Sequence, residues 1–186
     1  MDQKELARKV KLLIMDVDGT LSDGRFFMHP DGSIMKSFDV KDGTGIIFAG
    51  LAGIKTAIIT GKTSEAVRRR AQELQVDDYF EGVRDKTGPF YELLVKYGLK
   101  KEEVAYIGDD IGDAEVMGMV GFSAAVGDAH PLIKRISHYI AKRYGGRGAV
   151  RELIDFILDV QEKWPEIFTK LKNTENSDEI MQKINS

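Results

Sequence analysis

Leu12-Leu13-Ile14-Met15-Asp16-Val17-Asp18-Gly19-Thr20 is the stretch that decides the fold. Its four leading apolar residues read as a buried strand, after which the chain turns abruptly acidic. Side chains of an extended segment alternate faces, so Asp16 and Asp18 share one side. Two carboxylates in one pocket need a cation or a shared proton to be tolerated. Asp18-Gly19 is also an ordinary turn signal, so the pair alone does not separate a site from a loop.

Three further apolar runs follow, at Thr56 to Ile59, Val104 to Ile107 and Phe122 to Val126, each read as a buried strand. Between them lie stretches with helical spacing. In Ser64 to Gln75, Ala66, Val67, Ala71 and Leu74 fall on one side and Arg68, Arg69 and Glu73 on another, with Ser64 placed to cap. Shorter helices are expected at Pro89 to Tyr97 and Ala114 to Met119, one more from near Gly43, and a longer amphipathic helix at Ala149 to Trp164. Strands alternating with helices predict an α/β fold, a doubly wound and mostly parallel sheet covered on both faces. Arg25 to Met28 and Ile34 to Phe38, joined by His29-Pro30-Asp31-Gly32, read instead as a β-hairpin after the first strand. No internal repeat is found.

A chain of 186 residues predicts one domain, taken as residues 1–164, with 165–186 as a polar C-terminal tail that lacks clear periodicity. Its 27 Lys+Arg against 30 Asp+Glu give a net charge of −3, which implies no general attraction to nucleic acid or an anionic membrane. The absence of Cys removes disulfides, thiolate nucleophiles and Cys-bound metals together. The N-terminal apolar run is far too short for a signal or spanning segment, so a cytoplasmic protein is expected.

The chemistry-bearing residues sit where the strands end. Gly108-Asp109-Asp110-Ile111-Gly112-Asp113 closes a second strand in acidic residues, so Asp109 or Asp110 can face Asp16 across the carboxyl edge of a parallel sheet. Converging carboxylates make a hard-oxygen site suited to Mg2+ with a substrate phosphate; Asp113 reads equally as a helix cap. Thr60-Gly61-Lys62 ends a third strand just before a helix, a place that either receives a phosphate oxygen or simply turns the chain. Lys86, before the helix that Pro89 helps to start, is one lysine among many unless the carboxylates and a phosphate need a cation.

In this order the motifs DxDGT, strand-Thr-Gly, Lys and GDDxxD resemble the haloacid dehalogenase superfamily of phosphotransferases, over about Lys11 to Arg151. The resemblance implies Asp16 as the nucleophile that becomes an aspartyl-phosphate and Asp18 as acid for the leaving alcohol, then base for water. Thr60 and Lys86 would hold phosphoryl oxygens, and Mg2+ would bind Asp16, the Asp18 carbonyl and Asp109. Asp110 and Asp113 would support Lys86 and the metal surroundings. The intervals from Asp18 to Thr60, Thr60 to Lys86 and Lys86 to Asp109 span 42, 26 and 23 positions, leaving no room for a cap domain. An open site calls for cover by a neighbouring subunit.

Asp23-Gly24, Lys36 to Gly43, Ala129-His130-Pro131 and Gly145 to Glu152 resemble, more narrowly, the capless 3-deoxy-D-manno-octulosonate 8-phosphate phosphatases. These are tetrameric Mg2+ enzymes of lipopolysaccharide sugar synthesis. The resemblance assigns sugar-acid contacts to Asp39, Val40, Lys41, Asp42, Gly43, Lys62 and Arg70, makes Gly61 supporting, and has the Gly145 to Gly148 segment close on substrate or neighbour. Relatives acting on nine-carbon sialic-type acid 9-phosphates carry an acidic residue where Lys62 stands, so Lys62 favours the eight-carbon substrate. A phospho-receiver module uses similar groups for signalling, but its phosphorylated Asp follows a later strand and it has no DxDGT.

Overall fold

The computed structural model describes residues 2–173. Its elements are α1 (Gln3–Ala7), β1 (Leu12–Met15), β2 (Phe27–Met28), β3 (Ile34–Met35), α2 (Val40–Leu51), β4 (Lys55–Ile59), α3 (Glu65–Glu73) and β5 (Asp78–Phe80). There follow α4 (Thr87–Tyr97), β6 (Val104–Gly108), α5 (Ala114–Met117), β7 (Phe122–Ala125), α6 (Pro131–Ile136), β8 (Tyr139–Ile140), α7 (Ala149–Val160) and α8 (Trp164–Asn173).

The sheet has six strands in the order β5-β4-β1-β6-β7-β8, every pairing parallel. A parallel sheet is buried on both faces, which is why β1, β6 and β7 are continuous small or apolar runs with every residue buried. Helices supply the cover. α2 packs on α7 and α8, α7 also on α1, while α4, α5 and α6 form a second connected group. On α7 the stripe Val150, Leu153, Ile154, Ile157 and Leu158 is buried, the spacing of an inward helical face.

Strand order reverses about β1, which lies between β4 and β6. Met15 pairs with Ile58 on one side and Ile107 on the other. One or two residues later Asp16, Thr60 and Asp109 therefore leave the sheet at the same edge, at the switch point where such folds bind ligands. Between β1 and α2 the chain inserts only the antiparallel hairpin β2-β3, so there is no cap domain.

Several elements differ from the sequence reading. The longer helix ends at Val160, with Glu162 at φ 55, and α8 starts anew at Trp164 with Pro165 inside its first turn. Residues 165–173 of the expected polar tail are thus helical. Ile167 is fully buried, Trp164 packs edge-on against Phe48 at 5.7 Å, and Lys170 Nζ donates to Leu51 O at 2.6 Å. The rest of that tail lies outside the described residues. α2 starts at Val40, earlier than expected, because Asp39 caps it by accepting from Lys41 N at 2.7 Å. Ser64 takes the N-cap position of α3 without a capping side-chain bond; its N–H donates to Glu81 Oε2 at 3.3 Å.

Candidate active site

Lys86 is the centre of the site. It stands at the start of α4, and its buried Nζ donates to Asp16 Oδ1 at 2.6 Å, Asp113 Oδ1 at 2.6 Å and Tyr106 Oη at 3.1 Å. Tyr106, fully buried in β6, donates its hydroxyl to Asp113 Oδ1 at 2.6 Å. Asp113 Oδ2 accepts from the N–H groups of Asp109 at 3.0 Å and Asp110 at 3.2 Å. Asp113 thus has both oxygens engaged, while Asp16 keeps Oδ2 clear of Lys86.

Asp109 enters from the end of β6, its Oδ1 accepting from Thr20 Oγ1 at 3.1 Å and its carbonyl from His130 N at 2.8 Å. Its carboxylate lies so close over Gly19 that a Cβ there would stand 2.1 Å from Asp109 Oδ2, and Gly19 has φ +98°. Only glycine meets both conditions. Asp16, Asp109 and Asp113 each bring an oxygen within 4.8 Å of the others. Burial first, then repulsion from Asp113, raises the carboxyl of Asp16 above the usual range, and burial followed by repulsion from Asp16 and Asp113 raises that of Asp109. Burial would lower Lys86, yet the charges of Asp16 and Asp113 hold it above the ordinary lysine value. Three acidic groups facing one ammonium leave an excess of negative charge. An all-oxygen donor set of this kind suits a hard divalent cation held by Asp16 and Asp109.

The Gly145 to Gly148 segment braces the loop beneath. A Cβ on Gly145 would fall 1.7 Å from Gly19 O, and Gly146 N donates to Thr20 O at 2.9 Å. This stretch therefore packs on the chain's own Asp16-to-Ser22 loop.

Asp18 points elsewhere, toward the hairpin. Its Oδ1 accepts from Lys36 Nζ at 2.5 Å, and its Oδ2 lies 3.8 Å from Lys62 Nζ. Lys36 and Lys62 line a cavity of about 420 Å3 with Phe26, Met28, Ile34 and Ser64, between the hairpin and the start of α3. Thr60 is buried at the end of β4, its Oγ1 accepting from Lys62 N at 3.4 Å. A Cβ on Gly61 would meet only Val83 O at 3.7 Å, so space does not demand glycine there.

Other expected site residues are placed differently. Asp110 is exposed, and its Oδ1 accepts from Ile111 N at 2.8 Å; it caps a turn and does not touch Lys86. Of the segment expected to contact sugar acid, Asp39 caps α2, while Val40 and Lys41 are exposed on its first turn. Gly43 lies beneath the Arg70 guanidinium, which pairs with Glu73 at 3.1 Å. Arg70, Asp39, Asp42 and Gly43 line a crevice of only about 10 Å3, apart from the Lys36 and Lys62 cavity.

Asp42 is engaged within the fold. It is 1% exposed, and its two oxygens accept from Gly148 N at 3.1 Å and Arg151 N at 2.7 Å. The carboxyl caps α7 and ties it to α2. Burial outweighs these bonds and pushes it up to about 6 from the ordinary 3.8. The folded chain thus binds this proton more tightly than the unfolded one, so the stabilisation is complete below about pH 4 and is lost as pH rises through about 6. Asp42→Asn removes that dependence. From pH 4 to 7 the unfolding free energy of the variant should gain on the parent by about 2 kcal/mol, measured by urea denaturation. A constant difference would show that the N–H groups of α7 keep Asp42 ionised.

Two residues at the site, Tyr106 and Lys36, escape a reading of the sequence alone. Tyr106 carries a weak signal, a polar hydroxyl within a strand otherwise apolar. Lys36 carries none, because only the folding back of the hairpin brings it to Asp18.

A carboxylate pair on the first strand, a lysine between acidic groups and an uncapped parallel sheet define a hydrolase of the haloacid dehalogenase type. The haloacid dehalogenase-like hydrolase family model matches residues 36–121. The 3-deoxy-D-manno-octulosonate 8-phosphate phosphatase KdsC of Yersinia pestis is 44% identical over 162 residues, 87% of each chain. Its counterpart in Escherichia coli K12 is 44% identical over 160 residues, 86% of this chain and 85% of the relative. The crystal structure of the 3-deoxy-D-manno-octulosonate 8-phosphate phosphatase from Moraxella catarrhalis, in complex with magnesium, phosphate and KDO, superposes with a TM-score of 0.87. It is 37% identical and covers 91% of this chain and 97% of that one. The chain belongs to the 3-deoxy-D-manno-octulosonate 8-phosphate phosphatase family of haloacid dehalogenase-like hydrolases.

Proposed function

We propose that this chain hydrolyses 3-deoxy-D-manno-octulosonate 8-phosphate to the free sugar acid and phosphate, with Mg2+ as cofactor. The observation that carries this reading is the Lys86 ammonium between Asp16 and Asp113, with Asp109 beside them. A carboxylate will not approach a phosphate dianion unless their repulsion is neutralised. Asp16, Asp109 and the Asp18 carbonyl would hold Mg2+, which when bound would add positive charge to that of Lys86 and stabilise charge on the transferring phosphoryl group.

Asp16 attacks phosphorus through Oδ2, forming an aspartyl-phosphate as the ester P–O bond breaks. Asp18 gives its proton to the departing alcohol oxygen, then takes one from the water that attacks the aspartyl-phosphate and frees Asp16. Thr60 and Lys86 hold phosphoryl oxygens meanwhile. Asp113, fully bonded to Lys86, Tyr106 and two backbone N–H groups, keeps the ammonium in place.

Lys62, with its Nζ 3.8 Å from Asp18 Oδ2, selects the substrate acid. Lys62→Glu should lower kcat/KM for the octulosonate phosphate by about 10- to 100-fold, the effect expected of a lost charged contact. Simple esters should suffer much less. Equal losses on both would remove Lys62 from specificity.

The hairpin supports a homotetramer in which a neighbour covers the site. Phe26, Phe27, Met28, Ile34 and Met35 are all exposed on a two-stranded ribbon, a structure marginal in water by itself. Among the described residues no helix is long and apolar enough to cross a membrane, and a cytoplasmic place in lipopolysaccharide sugar synthesis fits this reading. Phosphate release from eight- and nine-carbon sugar acid phosphates, with and without Mg2+, tests it. Preference for the eight-carbon ester that vanishes without metal is expected; preference for the nine-carbon ester would reassign the substrate.

A further inference from the structure

Lys36 is an unusual lysine. Its neighbours along the hairpin are exposed, yet its own side chain is 4% exposed, and it ends 2.5 Å from Asp18 Oδ1. Its methylene stem lines the same cavity as Phe26, Met28 and Ile34, so the ammonium is carried inward on an apolar sleeve. The other Asp18 oxygen faces Lys62 Nζ at 3.8 Å, across a gap too wide for a hydrogen bond. The two oxygens are therefore unequal: one is fixed by a buried donor, the other is left for a ligand. Among the described residues no other side-chain bond holds Asp18, whereas Asp16 and Asp113 are held by Lys86 at the start of α4, Asp113 also by Tyr106 of β6, and Asp109 by Thr20 of the loop after β1.

We propose that Lys36 is a positioning residue for the reaction: delivered by the hairpin, its ammonium fixes Asp18 Oδ1 so that Oδ2 handles the proton. The inference rests on the proposed function, since it concerns how Asp18 serves that reaction. In the first half, the proton on Oδ2 passes to the ester oxygen as the bond from that oxygen to phosphorus breaks and the bond to Asp16 forms. In the second half, Oδ2 receives a proton from water as the water oxygen joins phosphorus and the bond to Asp16 breaks. The carboxyl ends as it began. Folding of the hairpin onto the site thus becomes a requirement for turnover as well as for enclosing the sugar.

The test compares the parent chain with Lys36→Met and Lys36→Arg in Mg2+ buffer, on p-nitrophenyl phosphate and on octulosonate 8-phosphate. Nitrophenolate is a good leaving group that needs little help from an acid, so the first turnover should survive in Lys36→Met while phosphoenzyme breakdown slows. A burst of about one nitrophenol per site, then a steady rate reduced about 100-fold, is expected from loss of alignment. Because only breakdown slows, KM for p-nitrophenyl phosphate should fall together with kcat and leave kcat/KM nearly unchanged, and Lys36→Arg should recover most of the rate. A kcat equal to the parent's would overturn the proposal. So would a loss confined to KM, or one that Lys36→Arg does not relieve. Should Lys36→Met melt early, Lys36→Gln, neutral but still able to donate, reports the same division between burst and steady rate. A parent chain active on p-nitrophenyl phosphate but not on the sugar ester would refute the substrate and leave the Lys36 comparison intact.

Discussion

Asp16→Asn is expected to lower phosphate release by about 10^4- to 10^6-fold, the scale on which enzymes lose turnover when a covalent nucleophile is removed. The amide matches the carboxyl in volume, and its oxygen can still accept from Lys86 Nζ, now 2.6 Å from Asp16 Oδ1. The fold should therefore persist. It should in fact be slightly steadier in metal-free buffer, because Asp16 is the largest charge acting to raise Asp109 after burial itself. Removing one of three crowded carboxylates relieves that repulsion. The melting temperature without metal should equal or exceed the parent's, while the rise on adding Mg2+ should shrink with the loss of one ligand. Steady-state phosphate release and thermal melts with and without Mg2+ check both halves. Substantial turnover by the variant would remove Asp16 from the chemistry.

The second large effect concerns Lys86. Lys86→Met preserves much of the stem but takes away the one ammonium bonded to both Asp16 and Asp113. Breaking a buried ion pair by removing one partner strands the other charges and typically costs about 3–5 kcal/mol. The loss should be greatest in metal-free buffer at neutral pH and should be partly restored by Mg2+, which supplies positive charge to the same carboxylates. Turnover should fall about 10^2- to 10^3-fold even with metal, since the phosphoryl oxygens lose a fixed cation. Urea denaturation in EDTA and in Mg2+, beside initial rates, separates the stability effect from the catalytic one. An unaltered denaturation midpoint would mean that Lys86 does not balance the cluster.

How much of this was legible in the chain depends on what each residue announces locally. β1, β4, β6 and β7 declare themselves as short apolar runs, because strands buried on both faces admit little else. β5 and β8 do not: Asp78–Phe80 and Tyr139–Ile140 are edge strands of three and two residues, half-buried or exposed. Their pairing is settled by the neighbour strand more than by their own side chains. α8 was hidden because its stripe is thin, with Ile167 its one fully buried side chain, and most of its surface is polar. In the site, Asp16 and an acidic residue after Gly108 could be picked out because acidic residues at two strand ends must meet when the strands are parallel neighbours; Lys86 and Asp113 received their roles only from the family resemblance. The choice between Asp109 and Asp110 was not available from spacing, since adjacent residues differ only in which way the backbone turns after Gly108. Asp42 was assigned to the sugar acid by the family resemblance alone; its bonds to Gly148 and Arg151, more than a hundred residues later, could not be read locally.

The central claim is that Asp16 captures phosphorus with the help of charge gathered at one edge of the sheet. Its most direct test slows breakdown of the intermediate with Asp18→Asn, mixes that chain with Mg2+ and p-nitrophenyl phosphate, whose leaving group needs little help from an acid, quenches in acid and maps the product by mass spectrometry. One added phosphoryl group on the peptide containing Asp16, absent when Mg2+ is withheld, is the predicted result. Phosphate released at the parent rate with no modified peptide, or a phosphoryl group on any other residue, would contradict it.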